Sequence, residues 1–316
     1  MRKFLMLFMT VTLLVILAAC GGSDDASEEN ASEESSGDSK SISILTPYLS
    51  SVTTKQMVDE IESRAKDNGW EVNVIDTKGD VGGMASRMED VILAGTDAIV
   101  IVSTDPNQVE AQIKQAAEKG IPVFGSDSGY IEGMTMNATS DNAEMSRMIT
   151  EYLFEQMGGE GNLIVLTHRP HPGVLIRSET LDEMLKEYPD INVITELEVE
   201  VPGPIENARQ QMENLILANK GKEEITAVWA GWDEPAIGAA QAIEAEGIED
   251  IIVTGIDGNS QAVEMIEEGS PIKATVEQNF IGMAEIVVEQ MTKVFNGEEV
   301  DGEELYAPAK LITAEE

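Results

Sequence analysis

Short apolar segments alternate with longer amphipathic ones from residue 41 to residue 295, and the alternation begins a second time near its middle. Ala98–Val102 and Ile251–Ile256 are rich in Val and Ile, which is typical of parallel strands covered on both faces. Thr53–Asn68 carries its apolar residues on one helical face, and Gly69 follows it as a common helix end. Two such runs predict an α/β fold with two doubly wound parallel sheets.

Length and charge limit the number of domains and the kinds of molecule that the protein binds. The 316 residues suffice for two domains of ordinary size. The 59 acidic residues outnumber the 20 basic ones and give a net charge of −39, so the surface repels nucleic acids and anionic lipid headgroups. We therefore exclude both as partners. Cys20 is the only cysteine, which excludes a disulfide within the chain. With Cys20 used for lipid, as predicted below, no cysteine is left for a thiolate metal site or a catalytic nucleophile.

The first twenty residues have the pattern of an export signal. Arg2 and Lys3 precede the apolar stretch Phe4–Ala19, which is shorter than the roughly 20 residues that span a bilayer. Small residues stand directly before Cys20, and the segment resembles a bacterial lipoprotein signal. We therefore predict a signal peptide over residues 1–19, lipidation of Cys20 and a location on the outer face of the cell membrane. The alternative is an ordinary signal or short anchor in which Cys20 is incidental.

Residues 20–40 differ in composition from everything that follows. Ser23–Lys40 is rich in Ser, Glu and Asp and has no aromatic or β-branched residue. Such a segment buries too little apolar area to offset its ordering entropy. We predict a disordered acidic tether here.

Aspartates stand where four predicted strands end. In open α/β sheets, ligands bind beyond the carboxyl ends of the strands. The aspartates there are Asp105, Asp127, Asp233 and Asp257. Carboxylates accept paired hydroxyl donors, so the set suits an uncharged, polyhydroxylated ligand. Each aspartate has an alternative role as a helix N-cap, which stays open at Asp105 and is the preferred interpretation at Asp233.

Two further side chains are candidate ligand contacts. Arg177 opens a predicted helix after a strand and would supply donors to a ligand, and the alternative is a surface ion pair with Glu179 or Asp182. Trp232 would stack on the apolar face of a sugar ring, and the alternative is packing between lobes or in a helix cap.

The remaining motifs argue against metal, nucleotide and catalytic chemistry. His168 and His171 lie in a proline-rich loop whose spacing is a poor zinc signature, so we assign His168 a hydrogen bond to ligand and predict no metal. The glycines of Lys78–Gly83 lack a phosphate-loop pattern. An acid–base pair of Asp127 and Asp257 is conceivable, but no second catalytic feature supports turnover. We predict a binding protein without cofactor.

Five segments carry a resemblance to a known family. They are Ser126–Asp127, Ala138–Asn142, Trp232–Ala239, Val253–Gly258 and Ala274–Gln278. In this order the chain resembles, from Ile42 to about Ile312, the extracellular solute-binding proteins of the ribose and galactose type, which serve ABC importers.

The resemblance implies the type I periplasmic-binding-protein fold, in which two Rossmann-like lobes are joined by a three-segment hinge. It places the N-terminal lobe at residues 41–140 plus 280–305 and the C-terminal lobe at 141–279 plus 306–316. The crossovers would fall near Ser140–Asp141, Gln278–Asn279 and Tyr306–Pro308, with the last helix packing on the first lobe.

The resemblance also implies a ligand site. The family's sugar-binding positions match Asp127, Arg177, Asp257 and Gln278. Its first loop has an adjacent aromatic pair, whereas this chain has only Tyr48, and Trp232 and Ser128 replace the Asn and Arg of ribose-type relatives. These departures favour another aldose, a deoxysugar or a polyol. The full predicted set is Tyr48, Ser50, Asp105, Asp127, His168, Arg177, Trp232, Asp257 and Gln278.

These features predict a monomeric sugar- or polyol-binding lipoprotein that delivers its ligand to an ABC permease by hinge closure. The alternative is a lipoprotein that presents a sugar-like signal to a membrane receptor or sensor kinase. A cytoplasmic repressor of the same fold would need an N-terminal DNA-binding segment, and a lipoprotein-like signal stands in its place.

Overall fold

A computed structural model describes residues 39–219 and 224–314. The predicted signal peptide, Cys20 and most of the predicted tether lie outside the described residues. The last two tether residues are described and contact the first lobe: Ser39 Oγ donates to Gly69 O at 2.7 Å, and Lys40 Nζ lies 3.2 Å from Asp97 Oδ1. The folded part therefore begins slightly before Ser41. In the described ranges, no helix is long and apolar enough to cross a membrane.

The N-terminal lobe is built on an all-parallel sheet of six strands. Its strands are β1 (Ser41–Thr46), β2 (Glu71–Asp76), β3 (Ala98–Val102), β4 (Val123–Ser126), β5 (Met136–Thr139) and β11 (Glu304–Tyr306), in the order β11-β5-β4-β3-β1-β2. Its helices are α1 (Val52–Asp67), α2 (Val81–Ala94), α3 (Glu110–Glu118) and α9 (Phe280–Phe295).

The C-terminal lobe repeats this arrangement with one antiparallel edge strand. Its strands are β6 (Gly161–Thr167), β7 (Ile191–Glu198), β8 (Ala227–Ala230), β9 (Ile252–Asp257), β10 (Ile272–Glu277) and β12 (Lys310–Thr313), in the order β12-β10-β9-β8-β6-β7, with β12 antiparallel to β10. Its helices are α4 (Asn142–Gln156), α5 (Pro172–Met184), α6 (Pro204–Asn219), α7 (Asp233–Ala245) and α8 (Ser260–Glu267).

Each sheet is covered on both faces, as the uninterrupted apolar strands predict. Successive strand residues point to opposite faces. In β3, Val100 and Val102 pack with α1 and α9, whereas Ile99 and Ile101 pack with α2 and α3. The C-terminal lobe likewise has one apolar cluster on each face of its sheet. The predicted fold class, two doubly wound α/β lobes, is confirmed.

The chain passes between the two sheets three times. It leaves the first sheet after β5, returns to the first lobe after β10, and crosses again between β11 and β12. Helix α9 packs on the first sheet through Phe280, Met283 and Val287, beside Ile44 and Val100. The carboxyl ends of both parallel sheets face the space between the lobes, where the candidate site lies.

Candidate functional site

A cavity of about 540 Å³ lies between the lobes. The loops that follow the parallel strands of both sheets form its walls. Eight of the nine predicted site residues line it: Tyr48, Ser50, Asp127, His168, Arg177, Trp232, Asp257 and Gln278.

Asp127 and Ser103 form the first lobe's part of the polar wall. Ser103 Oγ donates to Asp127 Oδ2 at 3.2 Å, and the buried Asp127 Oδ1 has no hydrogen-bond partner. Both residues have left-handed backbone angles, with φ of 51° and 52°. This conformation is uncommon for residues with a Cβ and concentrates at functional sites. The two sharp turns bring both side chains into the wall of the cavity.

Arg177 is buried in the second lobe, with 2% of its surface exposed. Its Nε donates to Asn142 Oδ1 at 2.8 Å and its Nη1 donates to Gly231 O at 2.9 Å. Nη1 also lies 3.6 Å from Asp257 Oδ1. The alternative of a surface ion pair with Glu179 or Asp182 is wrong, because Arg177 is buried and faces Asp257, while Asp182 pairs with Arg169 at 3.0 Å. Arg177 is thus held in a fixed orientation beside the cavity.

Asp257 and Gln278 meet at the hinge side of the second sheet. Gln278 Nε2 donates to Asp257 Oδ1 at 2.8 Å, and the buried Gln278 Oε1 has no partner. Burial raises the pKa of Asp257 well above its ordinary value, although the neighbouring Arg177 acts in the opposite direction. The carboxyl group and the amide therefore form one polar unit with Arg177.

His171 of the second lobe lies close to Asp127 of the first lobe. Its Nε2 lies 4.0 Å from Asp127 Oδ2, and its Nδ1 accepts from the backbone N–H of Val174 at the start of α5. Burial lowers the pKa of His171, which favours the neutral ring. The predicted ligand set included His168 and left His171 out, yet the structure places both at the cavity.

Trp232 has a packing role and a cavity-lining role together. It packs in an apolar cluster of the C-terminal lobe and also lines the cavity. Its Nε1 donates to Glu234 Oε2 at 3.3 Å. Burial raises the pKa of Glu234, and the hydrogen bond from Trp232 opposes this shift. Ser51 of the first lobe and Glu234 of the second both line the cavity.

Asp105 is the predicted site residue that the structure does not bring to the cavity. Its Oδ1 accepts from the backbone N–H and the Nδ2 of Asn107, at 3.0 and 2.8 Å. It caps the short 3₁₀ turn Pro106–Val109, so its predicted ligand contact gives way to the cap alternative. Local hydrogen bonds satisfy this carboxylate before it can reach a ligand.

At Asp233 the preferred cap interpretation is wrong. Trp232 occupies the N-cap position of α7, and the fully buried Asp233 accepts from Asn259 N and Thr275 Oγ1, both at 2.7 Å. Burial raises the pKa of Asp233 to about 6. This aspartate joins the start of α7 to the loop after β9 and to β10, and it does not line the cavity.

The segment Val201–Glu206 also lines the cavity, and the sequence interpretation missed it. It follows β7, so the same rule that singled out the other strand ends applies to it. The rule was applied to polar residues only, and this segment is mostly apolar. Further lining residues that were not predicted are Ser51, Thr53, Thr54, Ser103, Val174, Glu234 and Phe280. Across the described ranges, no group of three or more His, Cys, Asp or Glu is placed to hold a metal.

Comparison with known proteins places this cleft in a family. Residues 42–299 match the family described as periplasmic binding protein domain. The chain is 28% identical over 263 residues to the ribose import binding protein of Bacillus subtilis, covering 80% of each chain. It is 25% identical to the xylitol-binding protein of Mycolicibacterium smegmatis, over 79% of this chain and 71% of that protein.

A solved structure agrees with the sequence matches. The ABC transporter solute-binding protein of Agrobacterium vitis with bound allitol superposes with a TM-score of 0.83 at 26% identity, covering 87% of this chain and 96% of that one. The expected resemblance is confirmed. The chain belongs to the periplasmic binding protein family, with the solute-binding proteins of sugar ABC transporters as its relatives, and it is a binding protein and not an enzyme.

Proposed function

We propose that this protein captures an uncharged sugar or polyol between its lobes outside the cytoplasmic membrane, and delivers it to an ABC permease. In this proposal a lipid on Cys20 holds the protein to the membrane, and residues 20–38 act as a spacer. The family and the export-type N-terminus support this location, and nothing in the comparisons favours the sensing alternative.

Two buried acceptors carry the proposal. Asp127 Oδ1 and Gln278 Oε1 line the cavity, are 9% and 3% exposed by residue, and lack hydrogen-bond partners within the protein. An unsatisfied buried polar atom costs about 1–3 kcal/mol. A ligand with several hydroxyl groups supplies the missing donors, and Arg177 offers a donor group for the ligand's oxygens.

Contacts across the cleft support a mechanism by lobe closure. His171 Nε2 of the second lobe lies 4.0 Å from Asp127 Oδ2 of the first, and Ser51 and Glu234 line the cavity from opposite lobes. A ligand that touches both lobes binds the closed form more tightly and shifts the equilibrium toward it. The three chain passages between the lobes would act as the hinge, and the permease would recognise the closed pair of lobes.

The test is a binding measurement with a matched pair of variants. Isothermal titration against a panel of monosaccharides and polyols is expected to yield a ligand. Asp127→Asn replaces a charge-assisted hydrogen bond worth about 1.5–3 kcal/mol, so its affinity is expected to fall roughly 10- to 150-fold. Asp105→Asn, also after a strand but outside the cavity, leaves the affinity unchanged. The proposal fails if no panel member binds or if both variants weaken binding equally.

A further inference from the structure

The cavity is longer than one sugar ring. Along the carboxyl edge of the second sheet, β10 and β9 lie at one side and β7 at the other, with β8 and β6 between them. Neighbouring strands are about 4.8 Å apart, so β9 and β7 are separated by roughly 14 Å. The last residue of β9 and residues after β10 and β7 all line the same cavity, whereas a monosaccharide ring spans little more than one strand spacing.

The two ends of the cavity differ in polarity. We call Asp127, Arg177, Asp257 and Gln278 the hinge end. We call Val201, Pro202, Pro204 and Ile205, which follow β7, the outer end. The hinge end presents charged and amide groups, and the outer end presents hydrocarbon side chains.

Backbone of the first lobe, in the loop after β2, lies close to the outer end. A Cβ added to Gly79 would lie 3.1 Å from Cδ of Pro202, so the loop after β2 approaches the loop after β7 closely. Val201 and Ile205 are half-buried and pack against the C-terminal lobe's core. The apolar surface therefore lies between the two lobes, with Pro202 itself exposed.

Charged groups next to the outer end already have partners in the protein. Glu234 Oε2 accepts from Trp232 Nε1 at 3.3 Å, and Glu206 Oε1 lies 2.7 Å from Arg209 Nη2. His168 Nδ1 lies 2.6 Å from Glu198 Oε1, but this contact lacks hydrogen-bond geometry, so the buried Nδ1 has no hydrogen-bond partner. At the hinge end, Asp127 and Gln278 each leave one buried oxygen without a donor, whereas the side chains that follow β7 offer a ligand mainly hydrocarbon.

We propose that the natural ligand has two parts: a hydroxylated part held at the hinge end and an apolar alkyl or aryl substituent that lies against the outer end. This inference rests on the proposed function and specifies its ligand class as a glycoside or ether of a sugar or polyol. An unsubstituted sugar would leave the hydrocarbon of the outer end in contact with water, whereas a substituent buries it.

The test is a chain-length series. The purified protein is titrated with D-ribose, D-galactose, D-glucose and their methyl, propyl, pentyl and phenyl glycosides in both anomeric forms. Affinity is expected to rise by about fourfold per added methylene group until the outer end is filled. Free sugars that bind as tightly as all their glycosides, or more tightly, overturn this inference and leave the proposed function intact. If no sugar, polyol or glycoside binds, the proposed function fails and this inference fails with it.

Matched variants locate the substituent. Val201→Thr and Ile205→Thr are expected to reduce the gain in affinity per methylene group. Ile281→Thr alters an exposed isoleucine of α9 that does not line the cavity, and it keeps the full gain. The gain per methylene group is a ratio of two affinities measured on the same folded variant, so a lower stability of that variant does not reduce it. A full gain in both outer-end variants contradicts the placement.

Discussion

Replacing Arg177 by Met should destabilise the fold through its partner Asp257. In the wild type, Arg177 Nη1 lies 3.6 Å from Asp257 Oδ1, and both side chains are almost completely buried. Methionine fills similar space but removes the cation and the hydrogen bonds to Asn142 and Gly231. The substitution therefore leaves a buried carboxyl group without its opposite charge.

The expected loss is large for a single substitution. Removing one partner of a buried ion pair costs about 3–5 kcal/mol. The double variant Arg177→Met with Asp257→Asn removes the stranded charge as well. Its loss of stability should be about 1–3 kcal/mol smaller than the sum of the losses in the two single variants. Coupling of this size is usual between residues in contact.

The pH dependence has a definite sign. Burial already raises the pKa of Asp257, and without Arg177 nothing of comparable strength favours its charged form, so its pKa rises further. The folded state then holds a proton that the unfolded state releases above about pH 3.9. Stability is greatest below that pH and is lost as the pH rises through the folded-state pKa. The Arg177→Met variant should be impaired more at pH 7 than at pH 5.

Urea unfolding of the four proteins of this cycle at pH 5 and pH 7 measures the free energies. The difference between Arg177→Met and the double variant isolates the carboxyl group, because both carry the same change at position 177. If the losses simply add at pH 7, and if that difference is the same at both pH values, the argument that Arg177 offsets a buried charge on Asp257 is refuted.

Two further predictions concern stability. Gly255→Ala should lower the free energy of unfolding in urea by several kcal/mol, because its Cβ would overlap Asp233 Oδ1. In the control Gly302→Ala, the added Cβ would meet nothing closer than 3.4 Å, so stability should change by less than about 0.5 kcal/mol. Equal losses in the two variants would contradict this prediction. Burial lowers the pKa of His171, so the folded state resists protonation and stability falls as the pH drops below about 6.5. In His171→Asn, which keeps an N-cap side chain, the melting temperature should fall less over the same pH range. An unchanged fall would refute the conclusion that buried His171 resists protonation.

Much of the fold was predictable because apolar periodicity is local. Continuous Val and Ile runs such as Ala98–Val102 mark buried parallel strands, and the structure places them in the middle of the sheets. The strands β5, β11 and β12 were not predicted. They are three or four residues long and carry polar residues, so their pairing depends on neighbours that the sequence does not bring together.

Residues of the candidate site were predictable where the sequence shows that a strand ends. Asp127 and Asp257 follow buried strands, and both line the cavity. Asp105 follows one too, yet Asn107 two residues later captures its carboxylate. The choice between a local cap and a ligand contact depends on the direction of the side chain, and residue order alone does not specify that direction.

By itself the sequence determined the class of the molecule: two doubly wound lobes, an acidic surface, no cysteine chemistry within the folded part, and acceptors at the strand ends. Those properties follow from composition and from periodicity over a few residues. The tertiary structure decided which acceptors converge, that Arg177 is buried against Asp257, and that an apolar wall after β7 faces the same cavity. Contacts between residues distant in sequence set these features, because strand order and lobe approach bring together loops that lie far apart in the chain.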